Sequence, residues 1–531
     1  MKASDLLVRC LEREGVEYVF GVPGEETEDL LFSLRDSSIE FIPVRHEQGG
    51  AFMANVHGRL TGDAGVCLGT LGPGATNLVT GVADANMDKA PLVAITGQGG
   101  LERLHKESHQ ALDIVDLFDS ITKWNTQLTD PAIIHESVRK AFKLAEFEKP
   151  GATHLEFPED VAGAETDATP MRLQERVRLP PPDPKLVDRV ERTLAAADRP
   201  LIITGNGAVR GDAAAELREF VATTRIPVAS TYMGKGAVSD RSPQSLLTLD
   251  SGDHQEASDA IEMADLILTI GYDIAEHDPA DWNKGADTVL VHVDTEPAEV
   301  YAAYNPDIEL VCDLAGALRG FIEQVSDAKM QFDETWYSDL RSHILDDIDA
   351  DPQPGEPFTV RSVLPVLRGM MHDDDVLLSD VGSHKMHIAQ NFLTYEPNTC
   401  IISNGLASMG ISVPGGIAAD LVTDSSVIAA TGDGGFLMNG AEIETATRIG
   451  CGYTILVFVD DDYGLISEKQ RDHRGESYGT GLTNPDFMTF AESFGIDGYR
   501  PETWDELEAV LEDTLASDAM SLVEIPLARE S

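Results

Sequence analysis

Positive charge is in short supply in this sequence. Its 531 residues carry 39 Lys and Arg against 92 Asp and Glu, a formal net charge of −53 at pH 7. The carboxylates are not gathered in a tail; they run through LREFVATT, EASDAIEMAD, HILDDIDADPQPGEP and ETWDELEAVLEDTLASD alike. Such a surface repels nucleic acid and anionic membrane, so neither is an expected partner. Concentrated salt would screen the self-repulsion, which points to a halophilic source whose cytoplasm accumulates salt. Cysteine is scarce too: Cys10, Cys67, Cys312, Cys400 and Cys451 form no CxxC pair and are odd in number. That argues against a disulfide framework or zinc site and for a reducing compartment. No apolar run approaches a membrane span, and the N-terminus MKASDLLVRCLEREG has charges where a secretion signal needs an apolar core. A soluble cytoplasmic protein is expected.

Two proline-rich breaks, RVRLPPPDPKLV (176–187) and DDIDADPQPGEPFTV (346–360), divide the chain into 1–175, 186–345 and 356–531. Each piece alternates short apolar runs with helical spacing: VCLGTLGPG, PLVAITGQ and THLEFP; then PLIITGNG, ADLILTIG and TVLVHVD; then VLLSDVG, CIISNG, VIAATGDGG, TILVFVDDD and SLVEIP. The expectation is an α/β protein of three doubly wound parallel-sheet domains. The first and third pieces echo one another, each ending in a strand followed by proline; no short-period repeat occurs.

Chemistry concentrates in the stretch from Ala430 to Ile466, ATGDGGFLMNGAEIETATRIGCGYTILVFVDDDYGLI. It has a βαβ pattern, with FLMNGAEIETATRI as the helical part. Its two strands should be parallel neighbours, placing Asp433 and Asp460 at one C-terminal sheet edge, where open α/β sheets bind ligands. Two carboxylates beside glycines at a helix N-terminus suit a divalent ion carrying a phosphorylated ligand. The competing reading is a surface GDGG turn and a solvated DDD loop.

The GDGG turn, with an acidic residue 27 positions after its aspartate, resembles the cofactor signature of thiamine-diphosphate enzymes. VRHEQGGAFMA (44–54), LGTLGPGATNLVTGV (68–82) and SNGLASMGISVPGGIAA (403–419) are similar to further segments of that family, in the family's order. The resemblance implies a pyrimidine-binding domain at 1–175, a central Rossmann-like domain at 186–345 and a diphosphate-binding domain at 356–531. It implies that Glu47 is the carboxyl that hydrogen-bonds the cofactor's pyrimidine, with Gly74 beside it, and that Met409 is the apolar wedge that bends the cofactor. Gly432, Gly434 and Gly435 would let the backbone approach the diphosphate, with Ser383 and His384 of DVGSH reaching its oxygens. Mg2+ would be held by Asp433, Asp460 and the carbonyl of Asp462. The family usually has asparagine where Asp460 stands, and a one-residue shift to Asp461 is the alternative.

IGYDIAEHDPADWNKG (270–285) and HQALDIVDLFDSITKW (109–124) are similar to segments of the catabolic, flavin-independent acetolactate synthases, which implies Gln110 near the reacting carbon. The implied reaction decarboxylates pyruvate and adds the hydroxyethyl carbanion to a second 2-oxo acid. Glu26 of PGEETED stands where those enzymes commonly carry lysine and would oppose a carboxylate substrate; Lys106 and His109 of LHKESHQ would compensate. The alternatives are a thiamine-dependent decarboxylase or carboligase of another 2-oxo acid, or a flavin-containing anabolic synthase or pyruvate oxidase. GNGAVRG (205–211) could suggest a dinucleotide site, but a GxG after a strand is expected from packing alone. Thiamine diphosphate and Mg2+ are therefore the expected cofactors, and no FAD is expected. Glu47 and Asp433 fall in different domains, which the family pairs across subunits, so a homodimer or homotetramer is implied.

Overall fold

The computed structural model describes residues 1–249, 255–283, 285, 288–325, 332–348, 352 and 355–528. Lys284 of the tryptophan-bearing segment and a third of the second proline-rich break lie outside them.

The described strands form three six-stranded sheets, and every strand pair in them is parallel. The first comprises β1 (Tyr18–Gly21), β2 (Glu40–Pro43), β3 (Gly65–Gly69), β4 (Leu92–Gln98), β5 (Trp124–Gln127) and β6 (Ala152–Pro158), in spatial order β2-β1-β3-β4-β6-β5. The second comprises β7 (Pro200–Thr204), β8 (Val228–Ser230), β9 (Ser245–Thr248), β10 (Leu266–Ile270), β11 (Val289–Asp294) and β12 (Ile308–Val311), ordered β12-β11-β10-β7-β8-β9. The third comprises β13 (Val376–Ser379), β14 (Cys400–Ile402), β15 (Val427–Gly432), β16 (Thr454–Val459), β17 (Asp497–Tyr499) and β18 (Ser521–Pro526), ordered β14-β13-β15-β16-β18-β17. The first and third sheets thus share one connectivity, which is the structural content of the sequence echo.

Strand order reverses within the interior of each sheet, between β1 and β3, between β10 and β7, and between β13 and β15. Beyond the carboxyl ends at such a reversal, adjoining crossover helices lie on opposite faces and leave a crevice for ligand. Central strands such as β4 and β7 are buried throughout, as helices on both faces of a parallel sheet require.

The outer two sheets share a core. Helix Glu47–Thr61 packs on helix Ser412–Val422, bringing Phe52, Met53 and Val56 together with Ile411, Val413 and Ile417. The approach is close because the second helix is built on small residues: a Cβ at Gly415 would stand 2.9 Å from Val56 Cγ2. The middle sheet keeps its own core around Val187, Phe220 and Phe321. Residues 168–183 run without regular structure, until Asp183 caps helix Pro184–Ala195 by accepting from the Lys185 amide at 2.9 Å.

The helical reading of FLMNGAEIETATRI needs correction. The segment is broken into Asp433–Asn439, a 3-10 turn at Gly440–Glu442, and Ile443–Ile449. The break serves tertiary bonds: Asn439 Nδ2 donates to the Gly410 carbonyl at 2.7 Å, and Glu442 turns to the amides of Arg45 and His46. Among the described residues no helix is long and apolar enough to cross a membrane.

Candidate active site

The third sheet's reversal opens a cavity of ≈ 190 Å³ lined wholly by residues between 381 and 527. Ser383, His384, Met409, Gly432, Asp433, Gly434, Gly435, Asp460 and Asp462 all line it, so nine positions singled out in the sequence converge on one crevice. Parallel pairing of β15 with β16, Gly432 opposite Phe458, brings Asp433 and Asp460 to one edge.

Asp433 is 1% exposed and opens helix Asp433–Asn439, so GDGG is no surface turn. Its Oδ1 accepts from the Gly434 amide at 2.9 Å; its Oδ2 accepts from the Asp461 amide at 3.0 Å and from Asn484 Nδ2 at 2.5 Å. Asp460 Oδ1 accepts from the Asp462 amide at 3.1 Å. Burial, reinforced by Asp433, pushes the Asp460 carboxyl up to about 6, and burial also raises Asp433. A divalent cation between them would reverse both shifts, because it favours the ionised forms. Asp461 has a left-handed backbone, φ 57°, and its carboxylate accepts from Asn484 Nδ2 at 2.9 Å. It does not line the ≈ 190 Å³ cavity, so of the two neighbouring aspartates it is Asp460 that faces this crevice.

Two helices begin at the cavity, Ser383–Asn391 and Asp433–Asn439, and helix N-termini favour anions. His384 is buried, and desolvation pushes its imidazole down to about 3, so the ring is neutral near pH 7. Its Nε2 is buried without a hydrogen-bond partner, an orphaned polar atom that a diphosphate oxygen would satisfy. A Cβ at Gly434 would meet the Tyr463 ring at 2.9 Å, and one at Gly464 would meet Asp460 Oδ2 at 2.7 Å, so side chains there would close the cradle. The donor set, two carboxylates and peptide carbonyls, suits a hard divalent ion, and Val381, Met409, Phe458, Leu465 and Ile466 supply an apolar wall. Thiamine diphosphate with its metal therefore fits the residues present.

Asp380 is a member of the site that the sequence reading passed over. It is fully buried and accepts from the amides of Val381, Gly410 and Ser412 and from the hydroxyls of Ser412 and Thr431. It ties the Met409 loop to the end of β15. The signal was in DVGSH: an acid directly after a buried strand and before a glycine. Asn484 was missed as well, and nothing local marks it.

The remaining candidates gather at the reversal of the first sheet. Thr70 Oγ1 donates to Glu26 Oε2 at 3.0 Å. Gly72 precedes helix Pro73–Met87 at φ 56°, and a Cβ there would lie 2.8 Å from that of Gln110. Glu47, 7% exposed, opens its helix; its Oε2 accepts from Asn77 Nδ2 at 2.9 Å, and Gly74 packs at its Oε1. Gln110, Lys106 and His109 are exposed on the loop that follows β4. Within one chain Glu47, Gly74 and Gln110 are thus grouped together and stand outside the wall of the Asp433 cavity.

At the middle sheet's reversal, the turn of GNGAVRG is occupied from within. Both oxygens of buried Glu276 accept from the Asn206 amide at 3.1 Å, and Thr231 Oγ1 also donates to Glu276. A carboxylate sits where a dinucleotide would place a phosphate.

Family models match all three parts in order. Residues 1–117 match the thiamine pyrophosphate enzyme N-terminal TPP binding domain, 187–321 the central domain, and 380–525 the C-terminal TPP binding domain. The chain is 33% identical to an acetolactate synthase of Bacillus subtilis, covering 99% of this chain and 93% of that one. It is 32% identical to a catabolic acetolactate synthase of Raoultella terrigena (99% and 94% covered) and to a probable acetolactate synthase large subunit of Methanocaldococcus jannaschii (99% and 92%). With likeness along its whole length, the chain belongs to the acetolactate synthase family of thiamine pyrophosphate enzymes.

Proposed function

We propose that this protein is an acetolactate synthase that uses thiamine diphosphate and Mg2+, without flavin, to join two 2-oxo acids with loss of CO2, pyruvate being the first. The observation that carries the reading is the single crevice in which the orphaned Nε2 of His384, the paired carboxylates Asp433 and Asp460, and Met409 come together. The three sheets serve as cores of domains at 1–175, 186–345 and 356–531.

When bound, thiamine diphosphate supplies the nucleophilic carbon that adds to the 2-oxo acid and the electron sink that takes up the charge left by CO2. His384 and Ser383 hold diphosphate oxygens at a helix N-terminus, and Gly434 and Gly435 let the backbone come close. Asp433, Asp460 and the Asp462 carbonyl would hold the metal, and Met409 would pack against the cofactor from the cavity wall. Glu47, its Oε2 fixed by Asn77, keeps Oε1 to share a proton with a ring nitrogen. Gln110, packed at Gly72, would orient the acid to be joined.

Glu47 belongs to the half of the molecule that does not line its own chain's cavity, so the site is completed by a second copy in a homodimer or a dimer of such dimers. Leu406, Leu437, Met438 and Ile466, each 39–51% exposed, would be covered in that assembly. Glu276, filling the middle sheet's phosphate position, supports the flavin-free reading. Glu26 narrows the choice of acid: held by Thr70 beside the carboxyl end of β4, it favours a substrate carrying a single carboxylate over one carrying two.

The test is incubation with pyruvate, thiamine diphosphate and Mg2+ in molar KCl without flavin, with acetolactate measured as acid-released acetoin. Formation that is lost in Glu47→Gln is expected. Cofactor binding without acetolactate would keep the site and reject the substrate assignment.

A further inference from the structure

The two halves of the cofactor site are each held by buried carboxylates that belong to the other domain. From helix Pro73–Met87 and the residue after it, Asp84 and Asp88 reach the loop that runs from β14 to Met409. Asp84 Oδ1 accepts from Ser403 Oγ at 2.8 Å, and Asp88 Oδ1 accepts from the amides of Gly405 at 2.6 Å and Asn404 at 3.2 Å. Both aspartates are at most 1% exposed. Arg59 Nη1 lies 3.6 Å from Asp88 Oδ2 and donates to the Ile402 carbonyl at 2.8 Å; Lys385 Nζ donates to the Ser403 carbonyl at 3.0 Å. The anchors supplied by Asp88, Arg59 and Lys385 at the β14 end of this loop are charge-assisted, and the loop leads to Ala407 and Met409 on the cavity wall.

In the opposite direction, Glu442 of the diphosphate-binding domain reaches the helix that Glu47 opens. Its Oε1 accepts from the amides of Arg45 and His46, both at 3.0 Å, and its Oε2 accepts from Thr445 Oγ1 at 2.6 Å. Glu442 is 1% exposed, and a Cβ at Gly49 would lie 2.7 Å from its Oε1, so nothing larger fits beside it. The helix break at Gly440 is what aims it there.

Resting on the cofactor reading above, we propose that Asp88, with Asp84, and Glu442 are positioning residues that form reciprocal clasps: Asp88 sets the Met409 wall, and Glu442 sets Glu47. The helix Pro73–Met87 then has two tasks. Its Asn77 end orients Glu47 in the pyrimidine half-site, and about 16 Å along, at 1.5 Å per residue, Asp88 holds the wall of the diphosphate half-site. In a dimer those half-sites belong to different active sites, so one rigid helix serves both.

The experiment compares Asp88→Asn and Glu442→Gln with the parent full-length chain by amide hydrogen exchange, calorimetric titration of thiamine diphosphate with Mg2+, and pyruvate kinetics. Asp88→Asn is expected to speed exchange of residues 403–409 and raise the cofactor Kd at least tenfold, with exchange at 45–50 unchanged. Glu442→Gln is expected to speed exchange at 45–50 and lower kcat at least tenfold, with cofactor Kd and pyruvate KM within threefold. Ser403→Ala, which removes only a hydroxyl donated to Asp84, provides a milder form of the first clasp should Asp88→Asn fail to fold, and should show the same local exchange. Unchanged exchange in both segments, or exchange that rises across the whole chain in either variant, overturns the proposal. The exchange arm needs no cofactor, so it decides the clasps even if the parent protein binds no thiamine diphosphate, a result that would instead reject the cofactor reading.

Discussion

Asp380→Asn removes one oxygen from the most heavily bonded carboxylate of the site. Asp380 Oδ1 accepts from the amides of Val381 at 2.7 Å and Gly410 at 2.8 Å; Oδ2 accepts from the Ser412 amide at 3.3 Å, Ser412 Oγ at 3.0 Å and Thr431 Oγ1 at 3.2 Å. An amide can keep Oδ1 and its two backbone donors. At Oδ2 it presents N–H groups to the Ser412 N–H, leaving a buried donor unsatisfied at about 1–3 kcal/mol, while the two hydroxyl bonds lose charge assistance at about 1 kcal/mol each. The expected loss is roughly 3–5 kcal/mol, a large share of a domain's ordinary margin. The weakened bonds, to Ser412 and Thr431, lie directly behind Met409 and Gly432 of the cavity wall, so cofactor affinity should fall with stability. Urea unfolding of the apo-protein in molar KCl reads the first effect and calorimetry the second. A variant within about 0.5 kcal/mol of the parent would refute this account of Asp380.

Asp460→Ala should leave the fold intact and weaken thiamine diphosphate binding at saturating Mg2+ at least tenfold; unchanged affinity, measured by calorimetry, would remove Asp460 from the metal site. The net charge of −53 predicts a thermal midpoint that climbs steadily between about 0.1 M and 1 M KCl, as the screening length shrinks from about 10 Å to 3 Å; a midpoint indifferent to salt would contradict a halophilic design. His154 is fully buried, stacked on Phe118, with its imidazole pushed down to about 3 by burial. The unfolded chain binds this proton near pH 6.5 and the native chain does not, so stability is lost as pH falls below 6.5, by up to about 2.7 kcal/mol at pH 4.5. His154→Gln should flatten that slope, and an identical slope in denaturation midpoints across pH 4.5–6.5 would show that the ring takes up its proton in the folded state.

Long buried runs of β-branched residues made TILVFV and VIAATG legible as strands, and the spacing of Asp433 and Asp460 followed from their being neighbours. Asp497–Tyr499, Trp124–Gln127 and Val228–Ser230 went unread because they are short or half-exposed and owe their extension to a partner strand. GDGG and DVGSH could be read because turn, strand end and helix start are consecutive in the chain. Glu442 and Asp88 could not: their partners lie 397 and 317 residues away, and one more acid in so acidic a chain carries no local mark. The single helix read across Gly440 failed for the same reason, since its break is imposed by Gly410 and Arg45 from elsewhere in the fold. At GNGAVRG the pattern was ambiguous until Glu276, 70 residues on, was seen at the Asn206 amide.

The most direct test of the central claim is a carbon balance: pyruvate consumed, CO2 released and acetolactate formed by the purified protein with thiamine diphosphate and Mg2+. The account predicts two pyruvates consumed and one acetolactate formed for each CO2, with all three rates abolished in Glu47→Gln. One pyruvate per CO2 with acetaldehyde as product, or turnover that survives the loss of Glu47, would contradict it.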